Sequence, residues 1–408
     1  MSGRRRRVAL VLSGGGARGA YEAGVLSYLF EHLIPRLSPG FEFDLLSGTS
    51  VGAIHAAFTG ATADLAPAER ASRLSRTWST MEIADVLRLS SADLVRVPLR
   101  ALGLTRQSRS GKGVFGGLVD VTPLENLVRD VVPWDALQRN LDNGRPGAVC
   151  VSCTEVRSGR VTVFMAGDGA DAEPWDYDPN AQAIVGQITE RHVRASAAIP
   201  FLFPAVQIGE RYYVDGGLRM NTPLSPALRL GADRVLVVAL KHSPPSSAGL
   251  PPYPEDVITQ PAFLLGKVLD ALTLDQLEYE LNRIDLINAL IGRGEEVYGG
   301  GFLDSINVAV RQQRGVGFRH VRTCVVRPSE DIGRVAADCH RESGGLAELG
   351  LLPELIARTA MRGTPKDEAD LLSYLYFDKC FTRRLIEMGR EDARLAEYEI
   401  LELLEDQA

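Results

Sequence analysis

The chain has 408 residues, and it is poor in several things a sequence can be rich in. Cysteine is scarce. Cys150, Cys153, Cys324, Cys339 and Cys380 form an odd, sparse set, which excludes the dense disulfide framework of a small secreted domain. Cys150 and Cys153 make a C-x-x-C, but the segment alternates like a strand, where residues three apart point to opposite faces. They are expected as buried thiols, neither zinc ligands nor a disulfide. No apolar run approaches the ~18–20 residues of a membrane span. The run Val8 to Leu12, which follows four arginines, holds five residues, short of the ~7–15 in a signal peptide. The expectation is a cytoplasmic chain that touches a membrane, if at all, peripherally from one side. Positive charge is in deficit, with 45 Lys and Arg against 52 Asp and Glu and a net charge of −7, which argues against a broad basic face for nucleic acid. No cluster has the His, Cys or carboxylate spacing of a zinc or calcium site, so neither metal nor cofactor is expected.

What remains is an ordinary globular composition, 45% apolar and 24% charged, with forty glycines. That exceeds the usual ~7% share without the fixed period of a fibre, so the surplus needs a location.

The layout supplies one. Val8 to Leu12 reads as a strand stopped by Gly14-Gly15-Gly16, and Ala23, Leu26, Phe30 and Leu33 then fall at helical spacing. A second unit follows: an apolar strand from Phe41 to Leu46, a turn at Gly48 to Gly52, and a helix over Ala53 to Phe58. Two consecutive strand–helix units argue for a parallel α/β sheet. Thr122-Pro123-Leu124-Glu125 carries an N-cap threonine and first-turn proline. Ala148 to Val156 and Arg160 to Phe164 flank Ser158-Gly159 as a hairpin, and Arg211 to Val214 and Arg234 to Leu240 read as further strands, so the sheet is mixed. Six prolines between Ser243 and Pro261 mark an irregular loop. Beyond it, Phe263 to Ile291 is helix-patterned, Val321 to Arg327 is one late strand, and the chain from Asp367 is helical. The expected organisation is a core over 1–242, a Pro-rich loop over 243–262, and a mainly helical extension over 263–408 packed on the same domain. The last helix, with Leu395, Tyr398, Leu401 and Leu404 among glutamates, is expected to dock on the core or on a second subunit.

Gly48-Thr49-Ser50-Val51-Gly52 fits G-x-S-x-G between a strand and a helix, where a sharp turn lifts a serine hydroxyl clear of the backbone. Gly14 to Gly19 reads G-G-G-A-R-G, which also satisfies the dinucleotide fingerprint G-x-G-x-x-G, with Glu42 and Asp44 near the position of the ribose-binding acid. The same bare amides can serve as an oxyanion hole. A serine nucleophile needs a base, yet none of the six histidines has a catalytic context; His55 follows Ser50 by five residues, turned about 140° away on the helix. Tyr212-Tyr213-Val214-Asp215-Gly216-Gly217 is an apolar strand ending in an acid and two glycines, which taken alone is a common turn signal.

Taken together and in this order, Gly14-Gly15-Gly16-Ala17-Arg18-Gly19, Gly48-Thr49-Ser50-Val51-Gly52 and Asp215-Gly216-Gly217 resemble the three motifs of the patatin-like phospholipases. The segment from Arg194 to Pro204 is similar to the one that precedes that family's aspartate. The resemblance covers roughly Val8 to Leu240. It implies a three-layer α/β sandwich with a mostly parallel central sheet, helices on both faces, and Ser50 on a strand-to-helix elbow. It further implies a Ser–Asp dyad without histidine that cleaves carboxyl esters of lipids through an acyl-enzyme. Ser50 would be the nucleophile and Asp215 the general base, with an oxyanion hole from amides near Gly15 and Gly16 and Arg18 nearby. Bound lipid would desolvate Asp215 and raise its pKa. The implied partners are a lipid or ester substrate and a transient membrane contact, for which Ile199 to Val206 and the basic stretch Arg96 to Lys112 are candidates; no oligomeric state is indicated. Two other readings stay open: a nucleotide-binding oxidoreductase using the Gly14–Gly19 loop, and a non-catalytic lipid-binding regulatory protein.

Overall fold

A computed structural model of the chain describes residues 7–86, 120–200, 202–242, 277–342 and 370–405. The stretch Arg96 to Lys112, the Pro-rich loop, Phe201 and the first part of the pattern from Phe263 lie outside the described residues. In chain order the strands are β1 (Val8–Leu12), β2 (Leu45–Thr49), β3 (Ala148–Glu155), β4 (Val161–Ala166), β5 (Ala181–Val185), β6 (Val206–Ile208), β7 (Arg211–Asp215), β8 (Arg234–Val238) and β9 (Arg322–Val326). They form one sheet of order β5-β4-β3-β2-β1-β8-β9, with β7 paired to the end of β3 and β6 to β7. The central run from β3 to β9 is parallel, while β3–β4, β3–β7 and β6–β7 are antiparallel.

Period-two alternation makes this sheet the middle of three layers. Leu10 and Leu12 of β1 and Leu236 and Val238 of β8 enter one core, whereas Ala9, Val11, Val235 and Val237 enter the other. Both faces are therefore covered, which is why the central strands read as continuous apolar runs. Cys153 lies in the first core and Cys150 in the second, each a buried thiol whose pKa desolvation pushes up, Cys150 to about 12.

The early helices are α1 (Gly19–Tyr28), α2 (Val51–Ala61), α3 (Pro67–Thr80), α4 (Thr122–Val131), α5 (Trp134–Asp142), α6 (Glu190–Ser196) and α7 (Leu224–Arg229). After them come α8 (Leu277–Tyr298), α9 (Phe302–Arg314), α10 (Ile332–Glu342), α11 (Asp370–Leu375), α12 (Lys379–Leu395) and α13 (Glu397–Glu405). Helix α12 lies against α1, joined by a Tyr21 hydroxyl that donates to Asp392 at 3.0 Å. Their backbones touch: a Cβ at Gly24 would sit 2.2 Å from the Ile386 carbonyl oxygen, and one at Gly389 2.2 Å from that of Tyr21.

Three local expectations are corrected. The second strand begins at Leu45, not Phe41, and runs through Gly48 to Thr49; before it, Asp44 caps the start of β1 by accepting the Val8 amide at 2.8 Å. Thr122 does not cap α4: it is the first helical residue, Val121 takes the cap position, and the Thr122 hydroxyl donates to Asp120. In α13 the buried face is Ile400, Leu401, Leu403 and Leu404, packed against β8 and β9, whereas Leu395 and Tyr398 are exposed. Arg7, the last of the leading arginines, is tied to the body by a Leu230 carbonyl and by Asp233.

The close approach of α1 and α12 yields a first prediction. Gly24→Val drives a branched side chain into the Ile386 carbonyl and should destabilise the fold by about 2–4 kcal/mol. Chemical denaturation reads this directly; an unchanged midpoint would show that α12 does not pack there.

Candidate active site

Ser50 stands between β2 and α2 with φ 54° and ψ −122°. Among the described residues it is the one non-glycine with positive φ, a conformation that costs of order 1–3 kcal/mol and persists only where neighbours enforce it. The enforcement is backbone contact. A Cβ at Gly48 would lie 2.1 Å from the Gly52 carbonyl oxygen, and one at Gly52 2.3 Å from that of Leu12. Any side chain at either position pushes the first turn of α2 off the strand ends. The Ser50 amide donates to the Ser196 hydroxyl at 2.8 Å, and that hydroxyl donates to the Ser152 carbonyl at 2.6 Å. Ser196, on α6, was not singled out by motif, although it lies within the segment Arg194 to Pro204.

Asp215 ends β7 and is brought to Ser50 by a crossing segment. Residues 220–223 run over the ends of β1 and β2: the Met220 carbonyl accepts from the Thr49 hydroxyl (2.8 Å), Asn221 from the Gly14 amide (3.0 Å) and Pro223 from the Ser47 hydroxyl (2.8 Å). Thr222 pairs with the Ser13 hydroxyl at 2.7 Å. The Gly217 amide donates to Asp215 Oδ1 at 2.7 Å, and a Cβ at Gly216 would strike the Ser152 carbonyl at 2.2 Å. Asp215 is buried, and desolvation raises its pKa from 3.8 to about 6, opposed by the Gly217 amide and the facing Ser50 hydroxyl. The fold itself supplies this desolvation, so the shift does not depend on bound lipid as expected.

The glycine loop leaves β1 beside this pair. A Cβ at Gly14 would come within 3.2 Å of Ser50 Cβ, and Gly16 adopts φ +56° with its Cβ position 2.3 Å from the Tyr374 carbonyl. The Gly14 amide is spent on Asn221, which leaves those of Gly15 and Gly16 as the loop's candidates for an incoming oxygen. Arg18 is engaged with α11: its Nε donates to the Ser373 hydroxyl at 2.8 Å and its guanidinium lies 4.0 Å from the Tyr374 ring centroid, so it braces the loop. A Cβ at Gly19 would collide with Val51 at 2.3 Å, which fits α1 against α2.

His55 is no base for Ser50. Its Nδ1 lies 2.8 Å from Glu22 Oε2 and its Nε2 accepts the Trp78 indole N–H at 2.8 Å. Desolvation lowers its pKa to about 3. His192 is likewise held neutral, at about 4, by burial, and its Nδ1 accepts the Thr189 amide. Glu22, which also accepts the Ser13 amide at 2.7 Å, is buried and raised well above the carboxylate range by desolvation. One signal could have exposed it, a lone acid in the apolar helix Gly19 to Tyr28.

A narrow apolar cavity of ≈ 60 Å³ opens on Ser50, lined among others by Val51, Ile54, Trp78, Leu124, Ile199 and Phe203. A wider polar cleft of ≈ 440 Å³, between Arg7, Asp233 and Arg319, contains neither Ser50 nor Asp215. The acids proposed for a ribose sit elsewhere: Asp44 is at the start of β1, and Glu42 pairs with Arg70 at 2.7 Å. A nucleotide on the glycine loop therefore lacks its acidic partner at the strand end where the loop lies. Among the described residues no group of three or more His, Cys, Asp or Glu could hold a metal ion, and no helix is long and apolar enough to cross a membrane.

A strained serine at a strand-to-helix elbow, a buried carboxyl facing it and bare loop amides alongside form a site of the class suited to acyl transfer. The model of the patatin-like phospholipase family matches residues 10–228, and the chain belongs to that family. The protein YjjU of Escherichia coli K12, itself uncharacterised, is 27% identical over 235 residues, covering 57% of this chain and 51% of that one. The chain thus spans about half the length of this curated relative. Among solved structures it is similar to human GIVD cytosolic phospholipase A2 with methyl gamma-linolenyl fluorophosphonate (12% identity, TM-score 0.42, 98% of this chain and 58% of that one). It is also similar to VipD from Legionella pneumophila (13%, TM-score 0.31, 95% and 67%).

The raised pKa of Asp215 is a stability statement. Folding favours the protonated carboxyl, so its contribution is complete below about pH 4 and is lost as pH rises through about 6, at a cost of up to about 3 kcal/mol above that. Asn at 215 keeps an acceptor for Gly217 and carries no charge. Asp215→Asn should therefore melt at or above the wild-type temperature at pH 8, with the difference shrinking by pH 4; a lower Tm at pH 8 would contradict the burial cost.

Proposed function

We propose that the protein is a serine acyl hydrolase of lipid carboxyl esters, with Ser50 as nucleophile and Asp215 as the sole general base. The observation that carries this reading is the strained Ser50 facing a buried carboxyl at the mouth of an apolar cavity. Family membership supports the reaction class and the lipid substrate.

The chemistry follows from the placement of the groups. An ester whose acyl chain enters the cavity has its carbonyl carbon attacked by Ser50 Oγ, and the hydroxyl proton passes to Asp215. The negative oxygen of the tetrahedral intermediate meets the Gly15 and Gly16 amides, where one donor is typically worth ~2.7–4 kcal/mol. The C–O bond to the alcohol breaks and the alcohol leaves with the proton from Asp215, giving an acyl-enzyme. Water then attacks the acyl carbon, Asp215 takes its proton, and Ser50 recovers that proton as the fatty acid departs. An ordinary aspartate would be a weak base near neutrality; one shifted to about 6 is well matched to it.

Ser50→Ala should abolish both fluorophosphonate labelling and ester hydrolysis, and Asp215→Asn should lower kcat by about 10²–10⁴-fold while leaving the fold intact. For the wild type, kcat/KM should rise tenfold per pH unit below about 6 and level off above it, because the base must be ionised. A panel of phospholipid, lysolipid, neutral glyceride and simple esters identifies the substrate class. Labelling at another residue, or equal turnover by Ser50→Ala, would overturn the assignment.

A further inference from the structure

The cavity beside Ser50 has an aromatic wall held by a hydrogen-bond chain that the chemistry above does not use. Trp78 on α3 lies along one turn of α2. Its Cη2 and Cζ2 approach the Gly19 Cβ position, beside Val51, at 2.8 and 2.9 Å, and its Nε1 reaches His55 Nε2 at 2.8 Å. From Val51 to His55 is about 6 Å along the helix axis, so the indole spans the cavity from a point next to the nucleophile inward. Phe377 stacks on it at 6.4 Å with the planes 17° apart.

Donor counting fixes the chain. The indole N–H can only donate, so His55 Nε2 accepts and the imidazole proton sits on Nδ1, facing Glu22 Oε2 at 2.8 Å. Glu22 Oε1 then accepts the Ser13 amide at 2.7 Å, one residue before the glycine loop. Every polar atom of the wall is thereby satisfied behind it, and the wall shows an acyl chain only carbon. Gly19 is what allows the indole to lie this close to α1 and α2.

We propose that Trp78 limits the size of the acyl group that Ser50 accepts, and that His55, anchored through Glu22 to the strand end at Ser13, is the positioning residue that holds the indole in that place. This rests on the acyl-hydrolase reading. Without the acceptor on His55 the indole has a buried N–H with no partner and turns out of its position, which widens the cavity.

The test compares rates of Ser50 labelling by butyl and hexadecyl fluorophosphonates in the full chain. Trp78→Ala and the milder Trp78→Leu should raise the hexadecyl-to-butyl ratio about tenfold or more. His55→Leu, which removes the acceptor, should raise it in the same direction. His55→Gln, whose amide can accept from Trp78 and donate to Glu22, should return the ratio toward the wild-type value. Loss of rate with both probes in parallel, at constant ratio, is the signature of a merely structural role and would overturn the proposal while leaving the hydrolase intact. Failure of both probes to label Ser50 in the wild type would overturn the hydrolase reading and this inference with it.

Discussion

The site depends on one constraint: the first turn of α2 touches the ends of β1 and β2 backbone to backbone. Gly48 and Gly52 remove the two side chains that would hold these elements apart, and the carbonyl oxygens of Gly52 and Leu12 occupy the vacated space. The chain passes from strand to helix in a single residue, and that residue carries the strain at φ 54°. A serine in this position projects its hydroxyl away from both elements, at the positive end of the following helix. The strain is met by burial of α2, where Val51, Ala53, Ala56, Ala57 and Phe58 all enter the core, and by the Ser196 hydroxyl that accepts the Ser50 amide. Helix, strand ends and serine conformation stand or fall together.

Two buried carboxylates lie close to the glycine loop, and their surroundings assign them different work. Glu22 accepts the Ser13 amide on one oxygen and faces His55 Nδ1 with the other, so both oxygens are committed. Asp215 has one short bond, from the Gly217 amide, and turns its remaining capacity toward a hydroxyl whose proton can leave. Burial raises both, but Asp215 keeps its pKa near 6, within reach of neutral pH. A carboxylate with spare acceptor capacity, desolvated yet still able to ionise, fits a proton shuttle. A fully satisfied one fits a brace. The histidines His55 and His192 follow the same logic: burial pushes both down, and His55 spends both ring nitrogens on neighbours while His192 spends its Nδ1. These two histidines therefore serve as neutral connectors, and in the proposed reaction proton transfer falls to Asp215.

The central strands were legible because period-two alternation and burial on both faces write a run such as Val8 to Leu12 directly into the sequence. The elbow was legible because only glycine fits where backbone meets backbone, and three glycine loops in one order narrow the possibilities. Less legible were features fixed by distant partners. The strand β2 starts at Leu45, later than the apolar run suggests, and the Asp44 side chain just before it accepts the Val8 amide of β1. The face of α13 shifted because β8 and β9 receive Ile400, Leu401, Leu403 and Leu404, which periodicity alone did not separate from Leu395 and Tyr398. Trp78 and Glu22 carry no motif; their roles exist only once α1, α2 and α3 are packed. The desolvation of Asp215 is invisible in sequence for the same reason, since it exists only once β7 pairs with β3 and the Asp215 amide meets the Ala198 carbonyl.

The family match ends at residue 228, yet the site does not. The Tyr374 carbonyl fills the space beside Gly16, and Ser373 and Tyr374 hold Arg18, the last residue before α1. Phe377 completes the aromatic wall, and α12 presses on α1 at Gly24 while its own Gly389 admits the Tyr21 carbonyl. Strand β8, which follows the matched span, pairs with β1 along its whole length, and its Val238 carbonyl accepts from the Ser13 hydroxyl at the root of the loop. The loop amides nearest Ser50 are thus positioned from both sides, by the matched segment through Asn221 and by residues after 370 through Tyr374. An oxyanion hole stabilises charge in proportion to how rigidly its donors are aimed before the reaction. Under the proposed role of these amides, that rigidity is shared between the motif-bearing core and the C-terminal helices, which would make the helices part of the catalytic geometry although they carry none of its motifs.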